Sequence, residues 1–499
     1  MDRKSHPLDG SRRQFLQTAS ALSILGGATP MALNLAGIGA AAAQSAGEDY
    51  RALVCVFLFG GNDQTNTVIP FDAAEFSAYA AARTSIARAA SDLTSLGAAV
   101  SQAGRSFALP NELAPLASLY GAGRLAIVAN VGPLVVPTTK AQYQNASVPL
   151  PPKLFSHNDQ QSVWQSSGAE GATSGWGGRL ADLIVAGNAN QTFTAISVTG
   201  AAVFLSGRSV LQYQVGTGGS VAISGLTGPL FGSATAGQVL RQLIAAPRPT
   251  LFEDEYNRVT ARSIDANAAL ASALAASAAV TAVFPTGNTL ADQLKMVARA
   301  IAARRALGAR RQVFFVSLGG FDTHDFQLRD QPTLHSTLAA AVSAFYQATV
   351  ELGVAEQVTT FTASDFGRTL TSNGRGSDHA WGGNHIIMGG AVRGGDMYGR
   401  FPELYEGNSL DTGRGRLIPT TSVDEYFAEL ALWFGVPRQD LEIVLPNIRR
   451  FYDPGSSSSP VGFLGAAPPA APARSLIEAL REAGTRSPAQ HRAEGNRRL

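Results

Sequence analysis

The sequence predicts an α/β fold with a mostly parallel β-sheet and helices on both of its faces. Three short segments, at 53–59, 313–318 and 358–363, are continuous in apolar residues, as strands buried on both faces are. Between the last two lies a segment, 334–349, whose apolar residues recur at three- and four-residue steps, which predicts an amphipathic helix. Such alternation of strands and helices is typical of a parallel sheet that is covered on both sides.

The remaining elements continue this alternation from about residue 50 to residue 452, which we interpret as one domain. Further strands are predicted at 125–131, 194–198 and 386–388. Helices are predicted over most of 75–120 and at 175–184, 256–279 and 290–307. A last helix is expected to begin at Ser422, because Glu425 follows at the spacing of a capping box. Residues from 200 to about 235 are rich in Gly, Ser, Thr and Val and predict an irregular or partly β insertion.

The composition is typical of a globular enzyme. A formal charge of +2 over 499 residues gives no electrostatic footprint for nucleic acid, so no nucleic-acid partner is expected. The single cysteine, Cys55, excludes an intramolecular disulfide and a cysteine-based zinc site. Beyond the N-terminal region no apolar run is long enough to span a bilayer, so we expect a soluble mature protein without a membrane span. The oligomeric state is not predicted.

Both ends of the chain are predicted to lie outside this domain. Arg12 and Arg13 precede Phe15 and an alanine-rich apolar run with small residues near Ala43, the pattern of a cleaved export signal. The paired arginines resemble a twin-arginine signal over 1–43, which implies the twin-arginine export machinery as a partner and a periplasmic or secreted location. An ordinary secretory signal or a membrane anchor is the alternative. Residues 453–499 are rich in Ser, Pro and Ala and are expected to form a disordered tail.

Three aspartates follow predicted strands at equivalent places. Asp63 follows the first strand, Asp322 the strand at 313–318, and Asp365 the strand at 358–363. The carboxyl ends of parallel strands share one edge of the sheet, and ligands of open α/β sheets bind at that edge. Each aspartate alone is more simply explained as a helix N-cap or an Asx-turn. Three at equivalent positions favour a shared site.

Histidines lie close to these acidic loops, and together they predict a metal centre. Carboxylates and imidazoles gathered at one sheet edge are the ligand set of a divalent cation. We predict one or two ions, and zinc or manganese suits this mixture better than calcium, which prefers oxygen ligands alone. The predicted metal ligands are Asp63, Asp322, His324, Asp365, His379 and His385.

Three further residues are candidates for the chemistry itself. Ser156 is expected to precede a helix whose N-terminus faces the sheet edge, a good place for a nucleophile or an anionic group. Its simpler explanation is an N-cap alone. His157 is a candidate ligand or acid/base, with a polar loop residue as the alternative. Arg368 is a candidate clamp for an anion, as is Arg179, and a surface ion pair is the alternative for each.

These motifs together resemble the DUF1501 family, exported bacterial proteins of unknown function that are placed in the alkaline-phosphatase-like superfamily. The resemblance covers about 50–450 and is carried by motifs in a fixed order. They are Gly60-Gly61-Asn62-Asp63, Ser156-His157, Gly319-Gly320-Phe321-Asp322-Thr323-His324, Ser364-Asp365-Phe366-Gly367-Arg368-Thr369 and Asp378-His379 with His385. The resemblance implies an alkaline-phosphatase-like fold with one or two divalent metals beside a Ser, Thr or modified Cys nucleophile.

By position, Asp63 resembles the superfamily's aspartate after the first strand, and Asp365 resembles the aspartate of its late Asp-His pair. Asp322 and His324 resemble an earlier pair of Asp and His ligands, and His385 resembles the last histidine. The sequence departs from the superfamily pattern at three points. Phe366 stands where a metal-binding histidine is common, the Asp322–His324 spacing is short, and the nucleophile has no diagnostic motif. His379 is the candidate to replace the missing histidine, and a single metal is the alternative.

The function that the resemblance implies is hydrolysis of a phosphate or sulfate ester, a small anionic substrate, by a metal-assisted hydroxyl that we assign to Ser156. A non-catalytic metal-binding scaffold or partner protein of the same fold is the alternative. A hydrolase or oxidoreductase that uses the same ligands on another substrate is a third interpretation.

Overall fold

The structure is a computed structural model, and it describes residues 49–465 apart from 220, 221, 227 and 234. The predicted signal segment at 1–43 and the part of the predicted tail after 465 lie outside the described residues. The strands are β1 (Arg51–Leu58), β2 (Ile69–Pro70), β3 (Leu93–Ala98), β4 (Ser106–Pro110), β5 (Leu125–Gly132), β6 (Ala195–Ser197), β7 (Tyr213–Gln214), β8 (Arg311–Leu318), β9 (Val358–Ser364), β10 (Gly383–Gly389), β11 (Met397–Gly399) and β12 (Thr421–Ser422). The α-helices are α1 (Ala73–Arg83), α2 (Ala114–Gly121), α3 (Lys140–Gln144), α4 (His157–Ser166), α5 (Trp176–Ile184), α6 (Ala236–Ala245), α7 (Leu251–Ala276), α8 (Thr289–Ala302), α9 (Gln327–Glu351), α10 (Val423–Phe434) and α11 (Leu441–Val444).

The main sheet of the described domain has its strands in the order β11-β5-β10-β9-β1-β8-β6-β7, and β12 also pairs with β5. β1 lies at the centre and runs parallel to both β8 and β9, which are distant from it in sequence. β10 is antiparallel to both of its neighbours, β5 and β9. The predicted α/β fold with a mostly parallel sheet is therefore confirmed.

Both faces of β1 are covered, as its continuous apolar sequence predicts. Val54 and Val56 face one hydrophobic cluster, which also contains residues of α2, α8 and α9. Cys55 and Phe57 face a second cluster with residues of α5, α10 and α11. Alternate side chains of a strand point to opposite faces, so a strand apolar at every position must be buried on both. The helices on both faces are thus confirmed, and Cys55 is a buried free thiol.

The turn after β1 passes very close to the neighbouring strand ends. Gly60 and Gly61 have φ angles of +113° and +84°, a region that favours glycine. A Cβ on Gly60 would lie 2.4 Å from the backbone nitrogen of Asp322, and one on Gly61 would lie 2.5 Å from the ring of Phe366. The two glycines therefore let the ends of β1, β8 and β9 come together at one edge of the sheet.

Within the domain the structure differs from the sequence prediction in two segments. The segment 75–120, predicted to be mostly helical, contains α1 and α2, but between them β3 pairs with β4, and β2 pairs with β4 as well. β3 lacks a clear pattern, since only Leu93 of its six residues is buried. The helix expected at 334–349 begins earlier, at Gln327, and His335 within it is buried.

Residues 453–465, which the sequence assigns to the disordered tail, pack onto the domain. Phe463 and Leu464 are buried, and Leu464 forms a β-bridge with Val392. The backbone nitrogens of Val461 and Leu464 donate hydrogen bonds to the Glu429 carboxylate. The ordered chain thus extends at least to residue 465. Among the described residues, none of the helices has both the length and the apolar character of a membrane span.

Candidate metal centre

The Asp322 carboxylate is the point at which the polar groups of the sheet edge meet. It lies four residues after the end of β8, and its side chain is 45% exposed. Its Oδ1 lies 3.1 Å from His324 Nε2 and 3.2 Å from His379 Nε2. Its Oδ2 lies 3.5 Å from His157 Nε2. Three imidazoles, one at the start of α4 and two in separate loops, therefore direct their Nε2 atoms towards one carboxylate.

The orientation of His379 is fixed by a backbone carbonyl. Its Nδ1 lies 2.7 Å from the carbonyl oxygen of Phe155. A carbonyl oxygen can only accept a hydrogen bond, so Nδ1 carries the proton and donates it. In the neutral ring Nε2 is then the acceptor, and it faces Asp322 and His324. Burial lowers the pKa of His379, which favours this neutral form.

The orientation of His157 is fixed by Asp365, the residue directly after β9. His157 Nδ1 lies 2.6 Å from Asp365 Oδ2, which also accepts hydrogen bonds from Gln161 Nε2 at 2.8 Å and from the Gly60 nitrogen at 3.2 Å. The hydrogen bond to Asp365 raises the pKa of His157, although burial opposes this. Asp365 is fully buried, and its Oδ1 has no hydrogen-bond partner among the described residues. Asp365 thus belongs to the site as the partner of His157.

The orientation of His324 is fixed by Asp378, a residue to which the sequence analysis gives no role. His324 Nδ1 lies 3.0 Å from Asp378 Oδ1, which also accepts from Asn373 Nδ2, and Asp378 Oδ2 pairs with Arg414 at 2.7 Å. Burial alone would raise the pKa of Asp378, but Asn373, His324 and Arg414 together lower it to about 2. Asp378 is therefore a permanent carboxylate that accepts the Nδ1 proton of His324.

With Nδ1 held by these acceptors, each of the three imidazoles in its neutral form presents an Nε2 lone pair to the same point. His324 Nε2 and His379 Nε2 lie only 2.9 Å apart. Two acceptor nitrogens at this distance repel each other unless a proton or a cation lies between them. Ligand atoms of His157, Asp322 and His379 all lie within 4.8 Å of one another. Three imidazole nitrogens and a carboxylate are donors that zinc and related transition metals favour, so the residues fit a divalent cation.

Each of the three rings has a hydrogen-bond acceptor at Nδ1, the nitrogen that faces away from Asp322. A metal-binding histidine generally donates its other ring proton to a carboxylate or a carbonyl, which fixes the tautomer. Here Asp365, Asp378 and the Phe155 carbonyl supply these acceptors. The arrangement is therefore more specific to metal binding than three histidines alone.

The negative charge of Asp322 is balanced by an ion pair with Arg368 on the buried side of the site. Arg368 is fully buried, and its NH1 lies 2.8 Å from Asp322 Oδ1. Burial alone would raise the pKa of Asp322, but the ion pair with Arg368 outweighs it and lowers the pKa. Nε and NH2 of Arg368 have no hydrogen-bond partner among the described residues. Arg368, predicted to clamp a substrate anion, instead holds Asp322 in place from beneath the site.

Asp63 is not brought to this cluster, contrary to the sequence prediction. Its Oδ1 accepts from the backbone nitrogens of Thr65 and Asn66, which makes it the N-cap of a short 3₁₀ helix. Its Oδ2 forms a fully buried ion pair with Arg83 and accepts a hydrogen bond from Gln327 Nε2. Both oxygens are therefore engaged by the protein itself, and the simpler N-cap explanation holds for this aspartate.

His385 is also separate from the cluster. It lies inside β10, beyond an irregularity in the pairing with β5, and it is 3% exposed. Its ring packs 4.7 Å from Trp164 and 5.9 Å from Tyr426, and its Nδ1 lies 3.3 Å from Thr362 Oγ1. Burial lowers its pKa to about 3, so it is neutral. Its surroundings are those of a core histidine.

Ser156 precedes α4 as predicted, but its hydroxyl does not cap the helix. Ser156 Oγ donates to Asp159 Oδ2 at 2.8 Å, and Lys153 Nζ lies 3.8 Å from the same oxygen. No described contact joins Ser156 to Asp322. Phe366, in the place of an expected histidine, packs its ring 4.9 Å from His157 and 4.5 Å from His379 and so supports two rings of the cluster.

The structure therefore brings together His157, Asp322, His324 and His379, with Asp365 and Arg368 directly behind them, and leaves out Asp63 and His385. Two supporting groups, Asp378 and the Phe155 carbonyl, were not predicted from the sequence. Asp378 stands immediately before His379, and this acidic neighbour was the available signal. A backbone carbonyl acceptor has no sequence signal. Arg179, the second candidate clamp, is buried and donates to the carbonyl oxygens of Val444, Ser166 and Ser174.

Several solved structures resemble this chain at a distance. "Ps i-CgsB in complex with k-i-k-neocarrahexaose" is 10% identical, with 81% of this chain and 78% of that chain covered and a TM-score of 0.35. The PsFucS1 sulfatase from Pseudoalteromonas sp. is 8% identical, with 79% and 70% covered and a TM-score of 0.31. The lipoteichoic acid synthase LtaP from Listeria monocytogenes is 8% identical, with 75% and 77% covered and a TM-score of 0.28. Likeness at this level does not establish a shared reaction.

The family is established by the sequence itself. No curated protein matches the chain. The family model described as "Protein of unknown function (DUF1501)" matches residues 50–411, which is more than half of the chain and includes every member of the cluster. The resemblance carried by the glycine, aspartate and histidine motifs is therefore confirmed, and the chain belongs to the DUF1501 family.

Proposed function

We propose that this chain is an exported, metal-dependent hydrolase that acts on a phosphate or sulfate ester. The observation that carries the proposal is the convergence of the Nε2 atoms of His157, His324 and His379 on the Asp322 carboxylate. The ester class is supported by the alkaline-phosphatase-like superfamily that the motifs imply. Zinc or manganese suits three imidazoles and a carboxylate better than calcium does. Export follows from the predicted twin-arginine segment.

His157, Asp322, His324 and His379 would hold the cation. When bound, it would supply positive charge to the oxygens of the ester, where negative charge grows during hydrolysis. The chain contributes orientation, because Asp365, Asp378 and the Phe155 carbonyl each hold one Nδ1 proton. It also keeps Asp322 ionised, since Arg368 lowers the pKa of that carboxyl although burial opposes it.

Ser156 remains the proposed nucleophile, with Asp159 as the acceptor of its proton. The hydroxyl already donates to Asp159 Oδ2 at 2.8 Å, and Asp159 is buried. In the proposed step Ser156 Oγ bonds to the phosphorus or sulfur, its proton passes to Asp159, and the ester oxygen leaves and takes a proton from solvent. Water then cleaves the serine ester, which releases the inorganic anion and restores the hydroxyl.

The test is metal analysis together with hydrolysis of p-nitrophenyl phosphate, bis-p-nitrophenyl phosphate and p-nitrophenyl sulfate by the purified mature chain. We expect a bound transition metal, release of p-nitrophenol from at least one ester, and loss of turnover on chelation. Asp322→Asn should lower metal content and turnover together. Ser156→Ala should keep the metal but lose roughly 1,000-fold or more in kcat. Fractionation of the producing cells checks the proposed export.

A non-catalytic metal-binding scaffold or partner protein is the second candidate. Two observations favour it: the described contacts of Ser156 lead to Asp159 rather than to the cluster, and Phe366 replaces an expected histidine. Full metal content without turnover of any of the three esters would support the scaffold and contradict the hydrolase. Unchanged kcat in Ser156→Ala would instead keep the hydrolase and remove Ser156 as its nucleophile.

A further inference from the structure

Arg416 is a cation beside the cluster that has no acidic partner within residues 49–465 as the structure describes them. Its Nε donates to the backbone oxygen of His379 at 3.2 Å, and its guanidinium carbon lies 4.8 Å from the ring centre of Phe155. Within the described residues, no carboxylate lies within ion-pair distance of Arg416, and its two terminal nitrogens donate no hydrogen bond. The side chain is half-buried. Because the guanidinium is held through Nε, its two terminal nitrogens remain available to donate hydrogen bonds to a ligand.

Both anchors of Arg416 belong to the cluster. The Phe155 carbonyl accepts the Nδ1 proton of His379, and His379 Nε2 faces Asp322. Phe155 also directly precedes Ser156 and His157. Arg416 is therefore fixed against the junction that orients one imidazole and carries the proposed nucleophile.

The other arginines near the cluster are already engaged. Arg368 is fully buried on Asp322, and Arg414 pairs with Asp378 at 2.7 Å. Arg375 stacks 4.0 Å from the ring of Phe326, much as Arg416 stacks on Phe155, but its Nε lies 3.5 Å from Asp325. Arg416 is thus the arginine of this group whose charge is unmatched. The planar fork of an arginine is well suited to the oxygens of phosphate and sulfate.

We propose that Arg416 binds the anionic oxygens of the ester substrate and of the inorganic anion that is released. The inference rests on the proposed function and specifies it further, because it moves the anion-binding role from Arg368 to Arg416. It requires a substrate that keeps at least one negative charge on its phosphoryl or sulfuryl group.

The experiment is calorimetric titration of inorganic phosphate and inorganic sulfate into the metal-loaded mature chain. Wild type is compared with Arg416→Gln, Arg416→Lys and the matched control Arg375→Gln, and the metal content of each sample is measured. We expect Arg416→Gln to weaken binding of the preferred anion about 10-fold or more. Arg416→Lys should be intermediate, because it keeps the charge but loses the fork. Arg375→Gln should bind as wild type does.

Each other outcome is decisive. Wild-type affinity in Arg416→Gln with full metal content would overturn the inference and leave the proposed function in place. Loss of metal in Arg416→Gln would also overturn it, because the arginine would then support the centre rather than the anion. If Arg416→Gln does not fold, wild-type affinity in Arg416→Lys overturns the inference and weakened affinity supports it. A metal-loaded wild-type chain that binds neither anion would contradict the proposed function together with the inference.

Discussion

Asp63 and Asp322 follow adjacent strands at almost the same place and have opposite surroundings. β1 and β8 are parallel and in register, with Leu58 opposite Leu318, and each strand leads into two glycines before its aspartate. The Asp63 carboxylate is fully buried and paired with Arg83. The Asp322 carboxylate is nearly half exposed and faces three imidazoles.

The difference shows that position at the carboxyl edge is not enough to make a ligand. What decides is whether the protein already satisfies both oxygens. The oxygens of Asp63 are taken up by the backbone nitrogens of the short helix that it caps and by Arg83. Asp63 therefore stabilises the turn after β1. Among the described residues Asp322 pairs with one arginine, through Oδ1, and its carboxylate also faces ring nitrogens that need a proton or a cation between them. We interpret the end of β1, with Asp63, as structural and the end of β8, with Asp322, as functional.

The largest effect is expected from removal of Arg83. Arg83→Met leaves the Asp63 carboxylate buried without its counter-ion, which typically costs about 3–5 kcal/mol. We therefore expect the free energy of unfolding in urea to fall by roughly that amount. Metal content per folded molecule should not change, because Asp63 is not part of the cluster.

Arg88→Met is the matched control for this prediction. Arg88 pairs with Glu112 at 2.9 Å, but both side chains are partly exposed, so the loss should be below about 1 kcal/mol. If Arg83→Met were as stable as the control, Asp63 would not depend on Arg83. If Arg83→Met lost metal while remaining folded, Asp63 would belong to the metal centre after all.

The strand ends could be predicted from sequence because each follows a continuous apolar run. The continuous runs at 53–59 and 313–318 fix β1 and β8 closely, and with them the places of Asp63 and Asp322. Which residues pair with each carboxylate could not be predicted in the same way. Arg83 lies 20 residues from Asp63, and Gln327 lies 264 residues away, so their approach depends on tertiary packing.

The histidines show the same limit. His379 and His385 are six residues apart, yet His379 reaches the cluster and His385 points into the aromatic core beside Trp164. The division depends on the start of β10 and on the irregular pairing between Gly383 and His385, which sequence spacing does not reveal. Sequence therefore predicts which loops carry the site, and the register of the strands decides which side chains enter it.

Another buried carboxylate, Asp424, sharpens the contrast with the paired Asp63. Burial raises the pKa of Asp424 from 3.8 to about 7, and its Oδ1 has no hydrogen-bond partner in the part of the chain that the structure describes. The folded state therefore binds more protons than the unfolded state between about pH 4 and 7, so this group makes stability fall as pH rises through that range. Asp424→Asn should remove this contribution and be more stable than wild type at pH 8, by roughly 2–4 kcal/mol.

The measurement is the difference in unfolding free energy between variant and wild type from pH 4 to pH 8. The difference should be small at pH 4 and should grow to a plateau above pH 7. Glu406→Asn, at an exposed carboxylate, should give a flat difference over the same range. A flat difference for Asp424→Asn as well would mean that burial does not raise the pKa of Asp424 in the folded state.

The smallest effect is expected on the Asp322 side, at Asp378. Asp378→Asn removes the carboxylate that accepts the Nδ1 proton of His324, and an amide that presents its NH₂ group there would favour the tautomer with Nε2 protonated. Loss of such a supporting acceptor typically lowers metal affinity 10–100-fold. Competition with a chelator of known affinity measures this loss. Asp325→Asn is the control, since Asp325 is exposed and its ion pair is with Arg375. Equal metal affinity in the two variants would mean that His324 does not contribute its Nε2 to the centre, which would then consist of His157, Asp322 and His379 alone.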